Sequence, residues 1–345
     1  MQYTNQTAEE LELYRCTSSG IFQAQNSIWM KINFAFTFSL ILMTFVISIK
    51  AVQVLKFRNV YSSGTQFLLY VILVNVNFNQ LVYMVIRIRH LIKILSFSHD
   101  PCLIEFHNSE CYYDNHLYMF SNYLATWLVC SLTFDRFLAY YTRKLYDDKR
   151  NSKRIGVMLV AGSLIFTLLC HLYIFYGVPR AGYVPSCQYP PQLALDTFQL
   201  ATILKIVFTL FNCFVILLLL LVVVRKDRRI RHRNYDTNTR YFSFENVLTT
   251  KAILTIAVTQ LFFSCLSSVA VTLVRYFEGG MSEYLFHTLT QYVTGLLYGN
   301  LSIPILIYFK TSQCIADRHQ RITRMTMEPD LMESRMTSLK NMWEK

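Results

Sequence analysis

An acidic and a basic residue stand next to each other at the end of an apolar run. Asp135 and Arg136 follow an apolar stretch and precede a loop rich in Lys and Arg. An ion pair there would lie where hydrocarbon meets water, not in the bilayer centre, where charge is costly. We favour a latch, in which Arg136 pairs with Asp135 at rest and swings towards a cytoplasmic partner when the helices part. The alternative is a helix-end charge pair that only sets the depth of the helix in the membrane.

The composition of the chain is typical of a protein that crosses a membrane several times. Of the 345 residues, 53% are hydrophobic and 16% are charged, and 26 are Phe and 23 are Tyr. Long apolar runs agree with this class. The polar N-terminal stretch lacks the apolar segment of a cleavable signal peptide, so we expect the first span to direct membrane insertion.

Seven segments are long and apolar enough to cross a bilayer as helices, which predicts an all-α membrane protein with a seven-helix bundle. The bundle covers residues 28–309, between a head of residues 1–27 and a tail of residues 310–345. Since seven is odd, the two ends lie on opposite sides of the membrane. The predicted spans cover residues 28–55, 64–86, 116–140, 155–178, 198–224, 251–274 and 285–309.

The distribution of Lys and Arg predicts the orientation. Six lie on the side that carries the N-terminus, and 23 lie on the other side. Because cytoplasmic loops carry the excess of positive charge, we expect the N-terminus outside and the tail in the cytoplasm. The net charge of +12 then reflects membrane topology, and nucleic acid is not an expected partner. The basic run of residues 225–233 fits attraction to anionic membrane lipid or coupling to a cytoplasmic protein, and the sequence does not separate these.

The cysteines agree with this orientation. Of nine, four lie on the expected outer side, and an even set in an oxidising compartment indicates disulfides with three permitted pairings. We favour a bond between Cys111 and Cys187, which leaves Cys16 for Cys102. Cys314, five residues after the last span, is a candidate for palmitoylation, with an unmodified thiol as the alternative. An outside N-terminus would also make Asn5 a glycosylation site.

The third span joins two of these features. Cys111 precedes Arg136 by 25 residues, which at about 1.5 Å per residue places the two at opposite membrane faces. A third span with an outer cysteine and an inner Asp-Arg pair resembles the G-protein-coupled receptors. Together with the predicted N-terminus outside, this resemblance implies a bundle of that type.

The last span carries a second partial resemblance. Pro304 would free a backbone carbonyl and permit a kink, which Asn300 or Ser302 would stabilise, and Tyr308 would lie near the cytoplasmic rim. This resembles the Asn-Pro-x-x-Tyr element of rhodopsin-like receptors. However, Ile303 replaces the asparagine, and the tyrosine comes one residue late. An ordinary proline of a membrane helix is the alternative.

Other features point away from the core of the rhodopsin-like branch. The second span has no aspartate, and the sixth lacks both proline and tryptophan. The Cys16-containing head, the long loop after span two and the Arg136-Phe137-Leu138-Ala139 ending resemble the nematode serpentine chemoreceptors of class alpha (Sra). The resemblance implies a chemosensory G-protein-coupled receptor in the plasma membrane of a sensory-neuron cilium. Such a receptor would bind an external small molecule or peptide and activate a heterotrimeric G protein.

A ligand would lie between the outer halves of the spans, where polar side chains usually face a cavity or another helix. Lys205 would meet an anionic ligand there or, equally, snorkel to the headgroups, and each histidine is more often a packing residue. We expect no metal site, because no pair has the spacing and companions of one, and no cofactor. The candidate pocket residues are Asn115, His116, Met119, Asn122, Tyr123, Lys205, His287, Gln291 and Tyr292.

Three other functions compete with a receptor. Subunits of seven-span ligand-gated cation channels commonly have the N-terminus inside, which disagrees with the distribution of charge. A transporter would more often show repeats or buried acids at mid-membrane, and Asp135 is the only acid within the predicted spans. An enzyme is least favoured, because paired carboxylates and histidine clusters are absent at depth.

Overall fold

The computed structural model describes residues 8–13, 16–57, 61–142, 146, 148–233, 237–277, 280–292 and 296–327, so Asn5 lies outside it. Long helices dominate the described residues, and a short 3-10 turn precedes the seventh helix. The elements are α1 Ala8–Leu13, α2 Ser19–Asn26, α3 Ile28–Phe57, α4 Ser63–Ser96, β1 Phe106–His107, α5 Tyr112–Tyr141, α6 Lys149–Phe175, β2 Tyr183–Val184, α7 Leu195–Arg233, α8 Thr237–Tyr276, α9 Glu283–Tyr292 and α10 Leu296–Met327.

Six helical stretches of the described chain are long and apolar enough to cross a membrane, in α3, α4, α6, α7, α8 and the α9–α10 segment. Helix α6 shows why they suit a bilayer: Ile165, Leu168 and Leu172 each expose half or more of their surface. Exposed apolar faces of this size fit hydrocarbon better than water. The chain is therefore a multi-pass membrane protein.

Helix α5, the third predicted span, lies among the other helices and is more polar. It is 30 residues long, enough to cross a bilayer, and it packs against α4, α6, α7 and α8. Its buried positions include Asn115, Ser121, Asp135 and Arg136. Because neighbouring helices cover these side chains, α5 needs less apolar surface than a helix that faces lipid.

Several helices continue beyond the predicted spans. Helix α4 runs to Ser96 through residues expected to form a loop, α7 runs to Arg233, and α10 continues without a break to Met327. None of these extensions contains Gly or Pro, the residues that most often end helices. The apolar composition of a segment indicates which residues lie in the hydrocarbon. The helix can continue past them, because these extensions lack the residues that most often end a helix.

Loops and two disulfides cover one end of the bundle, which we call the disulfide end. Bonds join Cys16 to Cys102 and Cys111 to Cys187, the favoured pairing of the three that the sequence allowed. Strands β1 and β2 pair antiparallel, with Phe106 opposite Val184. Helix α2 of the head packs against α9 and α3. The head and both long loops are thus fastened together over the helices.

Candidate functional site

The ion pair predicted from the sequence is present and buried at the opposite end of the bundle. Nη2 of Arg136 lies 2.6 Å from Oδ2 of Asp135, and Nε donates to the same oxygen at 3.1 Å. The side chain of Arg136 is 4% exposed and that of Asp135 is fully buried. We call these two residues the latch pair and this end of the bundle the latch end.

Three side chains from other elements hold the latch pair. Thr65, in the first turn of α4, donates to Oδ2 of Asp135 at 2.6 Å. The guanidinium of Arg136 donates to Thr65 and, at 3.3 Å, to Ser62. From the loop after α5, the hydroxyl of Tyr146 donates to Oδ1 of Asp135 at 2.6 Å. The latch pair thus joins the end of α5 to the start of α4 and to this loop.

The hydrogen bonds around the latch pair compensate for its burial. Desolvation of two charges can exceed their mutual attraction unless other groups satisfy them. Burial and the Asp135 carboxylate raise the pKa of Tyr146, so the phenol stays protonated and donates. Sequence reasoning missed Thr65 and Tyr146, because neither has a residue type or spacing that marks a partner.

A close contact between α4 and α6 positions Thr65. The backbone N–H of Gly64 donates to Oγ of Ser152 at 3.0 Å. A Cβ atom added to Gly64 would collide with the Ser152 carbonyl, and one added to Gly156 would lie 2.9 Å from the Gly64 carbonyl. Two glycines therefore let the backbones touch here, which presents the next residue, Thr65, to Asp135.

Asparagine side chains connect three helices near the middle of the bundle. Asn79 donates to the hydroxyl of Ser121 at 2.5 Å, and Asn75 donates to the Ser121 carbonyl at 2.9 Å, which joins α4 to α5. Asn300 of α10 donates to Oδ1 of Asn79 at 2.6 Å. These three asparagines are buried. They form a polar connection between α4, α5 and α10.

The residues around Pro304 differ in part from the expectation. Pro304 lies inside α10, where its missing N–H leaves the Asn300 carbonyl without its helical donor. The Asn300 side chain bonds to α4 rather than to its own helix, while the Ser302 hydroxyl donates to the Gly299 carbonyl at 2.7 Å. Tyr308 is partly buried and packs against the apolar cluster at the latch end.

Cys314 is buried rather than accessible. It is 3% exposed and belongs to the same apolar cluster as Tyr61. The Tyr61 hydroxyl lies 3.3 Å from that of Thr311, one turn earlier in α10. Palmitoylation of Cys314 stays a prediction, and an acyl chain on it would have to displace Tyr61 from the cluster.

Three pocket candidates meet between α5 and α7. Nζ of Lys205 donates to Oδ1 of Asn122 at 2.7 Å and lies 5.7 Å from the ring centre of Tyr123. Lys205 therefore turns towards α5, which disagrees with the alternative that it snorkels to the headgroups. It is the cation of this group and the one we expected to meet an anion.

The other candidates lie in different surroundings. Nδ1 of His116 is 2.6 Å from Nε2 of His171 in α6, a partner that the sequence did not indicate. Met119 is buried in the apolar cluster around the Cys111–Cys187 bond. Asn115 is 1% exposed, and its amide atoms have no hydrogen-bond partner among the described residues.

The candidates of α9 lie near the disulfide end, where this helix packs against α2 and α3. Tyr292 donates to the Trp29 carbonyl at 2.6 Å, which ties α9 to α3, and the His287 ring lies 5.1 Å from that of Phe286. Gln291 is buried and faces α4. Contacts within the described residues thus divide the nine candidates into separate groups instead of one cluster.

Gln291 is part of a polar cluster that sequence reasoning missed. Arg87 of α4 is fully buried and donates from Nη1 to Oε1 of Gln291 at 2.9 Å, and its Nη2 donates to Oδ1 of Asn33. Gln188 donates to the same Gln291 oxygen at 3.0 Å, while the Gln291 amide donates to the Tyr189 hydroxyl at 3.0 Å. The predicted second span ended at residue 86, so Arg87 was expected in a loop.

An apolar groove lies apart from these groups, between the ends of α8 and α9. Its volume is about 410 Å³, and none of the nine candidates lines it. Its lining residues are Leu273, Val274, Phe277, Gly280, Met281 and Leu289. Within the described ranges, three or more His, Cys, Asp or Glu side chains do not gather as metal ligands would.

Comparison with known proteins agrees with this geometry. The family model described as "Serpentine type 7TM GPCR chemoreceptor Sra" matches residues 11–343. The chain is 52% identical over 342 residues to serpentine receptor class alpha-27 of Caenorhabditis elegans, with 99% of each chain covered. It is 34% identical over 331 residues to serpentine receptor class alpha-25 of the same organism, with 96% of this chain and 98% of the relative covered. The comparisons confirm the family resemblance and the predicted seven-helix fold.

Proposed function

The chain belongs to the class alpha (Sra) family of serpentine seven-transmembrane chemoreceptors, and on that premise we propose that it couples an external ligand to a heterotrimeric G protein. The ligand is a small molecule or a peptide that binds towards the disulfide end. The relatives carry the names of receptors, which supports a chemosensory role without a catalytic site. A ligand-gated channel and a transporter are the alternatives.

The observation that carries the proposal is the buried latch pair. In the resting state Arg136 is held by Asp135, Thr65 and Ser62, and Tyr146 holds the carboxylate. If α4 or the loop of Tyr146 moves away from α5, these bonds break and Arg136 becomes available to a cytoplasmic protein. A buried pair with partners on several elements suits such a switch. Arg136 is either held by these partners or released from them, and packed side chains move between two such arrangements without stable intermediates.

The asparagine network supplies a route between the two ends. Asn300 contacts Asn79 across α10 and α4, and Asn79 contacts Ser121 on α5. A ligand that shifts α10 relative to α4 alters these bonds, and the same helix α4 carries Thr65 to the latch pair. The ligand then acts only through its different affinity for the two arrangements.

The proposed topology follows the charge asymmetry. The head lies outside, the bundle covers residues 28–309, and the tail from residue 310 lies in the cytoplasm, where Tyr308 borders the G-protein site. Disulfides at the head end support this orientation, since they persist in oxidising compartments. We place the receptor in the plasma membrane of a sensory-neuron cilium and retain Asn5 as its glycosylation site.

A panel of Gα biosensors tests the proposal. The full chain and Arg136→Gln are expressed in reporter cells at matched surface levels, with Arg150→Gln, an exposed position in the first turn of α6, as a control for loss of one positive charge at the same end. We expect a basal or odorant-evoked response in the native chain and the control and its loss in Arg136→Gln. Silence of every sensor together with a whole-cell current would establish the channel instead.

A further inference from the structure

Arg87 is a buried cation that pairs with no carboxylate in the part of the chain that the structure describes. Its side chain has no exposed surface, and no Asp or Glu oxygen of the described residues lies within the 4 Å of an ion pair. Its Nε–H finds no acceptor there either. By contrast, Arg89 pairs with Asp114, and Lys93 pairs with Glu110 at 3.1 Å. The two more exposed cations of α4 therefore each pair with a carboxylate, whereas the fully buried Arg87 pairs with none among the described residues.

A buried cation of this kind lowers the stability of the fold unless another group neutralises its charge. An arginine side chain keeps its positive charge in proteins, so the guanidinium itself does not relieve this cost. Neutral amide oxygens of Asn33 and Gln291 satisfy two of its N–H groups but leave its charge. Buried ions without a counterion destabilise a fold strongly. An anion that arrives with a ligand would remove this cost.

We propose, on the basis of the receptor function proposed above, that Arg87 binds the carboxylate of a small organic acid. A carboxylate would accept from the unused Nε–H and a neighbouring Nη–H, the side-by-side geometry that guanidinium groups favour. The amide of Gln291 donates to Tyr189, and that of Gln188 donates to Gln291. When the carboxylate binds, its oxygens would exchange with these neutral acceptors.

The neighbours of Arg87 indicate the rest of the ligand. The guanidinium carbon lies 4.5 Å from the ring centre of Phe34 and 5.7 Å from that of Tyr83. Tyr83 in turn stacks on Tyr118 of α5 at 5.7 Å. A ligand with an aromatic or aliphatic body beside its carboxylate would pack against these rings. Phe34 and Tyr83 are themselves buried, so the surroundings of the guanidinium are apolar and suit an organic acid better than an inorganic anion.

The loop after β2 closes the site. Gln188 and Tyr189 follow Cys187, whose bond to Cys111 holds the loop against α5. Both side chains bond to Gln291, the partner of the fully buried Arg87, so we place the entry of the acid where they move aside. The same loop then closes over the bound carboxylate. This movement links ligand binding to the cap of loops and disulfides.

Thermal unfolding of the purified full-length protein in detergent tests the proposal without a G protein. The probes are benzoate and hexanoate, compared with their methyl esters and with chloride at equal ionic strength. Variants are Arg87→Gln, Arg87→Lys and, as a matched control on the same helix, Arg89→Gln. We expect the acids, but not the esters, to raise the unfolding midpoint of the native chain and of Arg89→Gln by about 2 °C or more.

Arg87→Gln should lose this shift, and Arg87→Lys should keep part of it. An equal shift in the native chain and Arg87→Gln, or no shift in the native chain, would overturn the proposal. So would a shift that disappears in Lys205→Gln but survives in Arg87→Gln, since the anion would then bind between α5 and α7. If the acids raise the unfolding midpoint of the native chain but the native chain activates none of the Gα biosensors, the result would count against the G-protein function and not against the acid site.

Discussion

The hydroxyl of Tyr146 donates a 2.6 Å hydrogen bond to Oδ1 of Asp135, so a residue of the connection between α5 and α6 restrains the ion pair at the end of α5. The two residues are eleven positions apart, and the bond links the loop to the acid that holds Arg136. This relationship makes the loop part of the proposed switch rather than a passive connection.

We expect Tyr146→Phe to raise ligand-independent signalling. The change removes one donor to a buried carboxylate, which weakens the resting arrangement by about 1–3 kcal/mol. Basal output of the responding Gα biosensor, normalised to surface level, measures the effect. Tyr141→Phe is the control, because Tyr141, the last residue of α5, is 63% exposed. Equal basal output in the two variants would contradict a restraining role for Tyr146.

Gly64→Ala should impair assembly of the latch end. The added Cβ would collide with the carbonyl of Ser152, and a backbone atom cannot yield as a side chain can. Overpacking of this kind costs about 1–3 kcal/mol. Gly162→Ala is the matched control, since a Cβ there meets nothing within 4 Å. Unfolding midpoints and surface levels decide: if both variants behave alike, the close contact between α4 and α6 is not essential.

A double-mutant cycle should show coupling between Asn79 and Asn300. Their 2.6 Å hydrogen bond is buried, and we expect an interaction energy of about 1 kcal/mol between Asn79→Ala and Asn300→Ala. The free energy of unfolding is measured for each single variant and for the pair. The cycle of Asn77→Ala with Asn300→Ala is the control, because Asn77 bonds to the Leu73 carbonyl of its own helix. Strict additivity in both cycles would argue against the network.

Cys111→Ser should prevent export from the endoplasmic reticulum. Loss of the bond to Cys187 frees the loop over the helices, and native disulfides contribute about 2–5 kcal/mol in small domains. Cell-surface labelling and mobility on a non-reducing gel measure the outcome. Cys130→Ser, which removes a free thiol from the same helix, should behave as the native chain does. Normal export of Cys111→Ser would show that the bond is dispensable.

Residues close together in the sequence were the easiest to assign. Asp135 and Arg136 are adjacent, so their pairing needed no knowledge of the fold. The four cysteines expected outside followed from the predicted topology, and the pairing that we favoured is the one present. By contrast, 204 positions separate Arg87 from Gln291, and 70 separate Thr65 from Asp135. Nothing in the residue types marks either pair as partners.

The fold class was determined by the sequence alone, because hydrocarbon acts on each span separately: a helix that crosses it must satisfy its own backbone and present apolar side chains. The tertiary structure decided which polar residues meet. That depends on how each helix is rotated about its axis and how far it is shifted along its neighbours, and both result from the packing of the whole bundle. Contacts such as Gly64 with Ser152 set these positions and brought Thr65 to Asp135. The same packing buried Arg87 away from every carboxylate of the described residues.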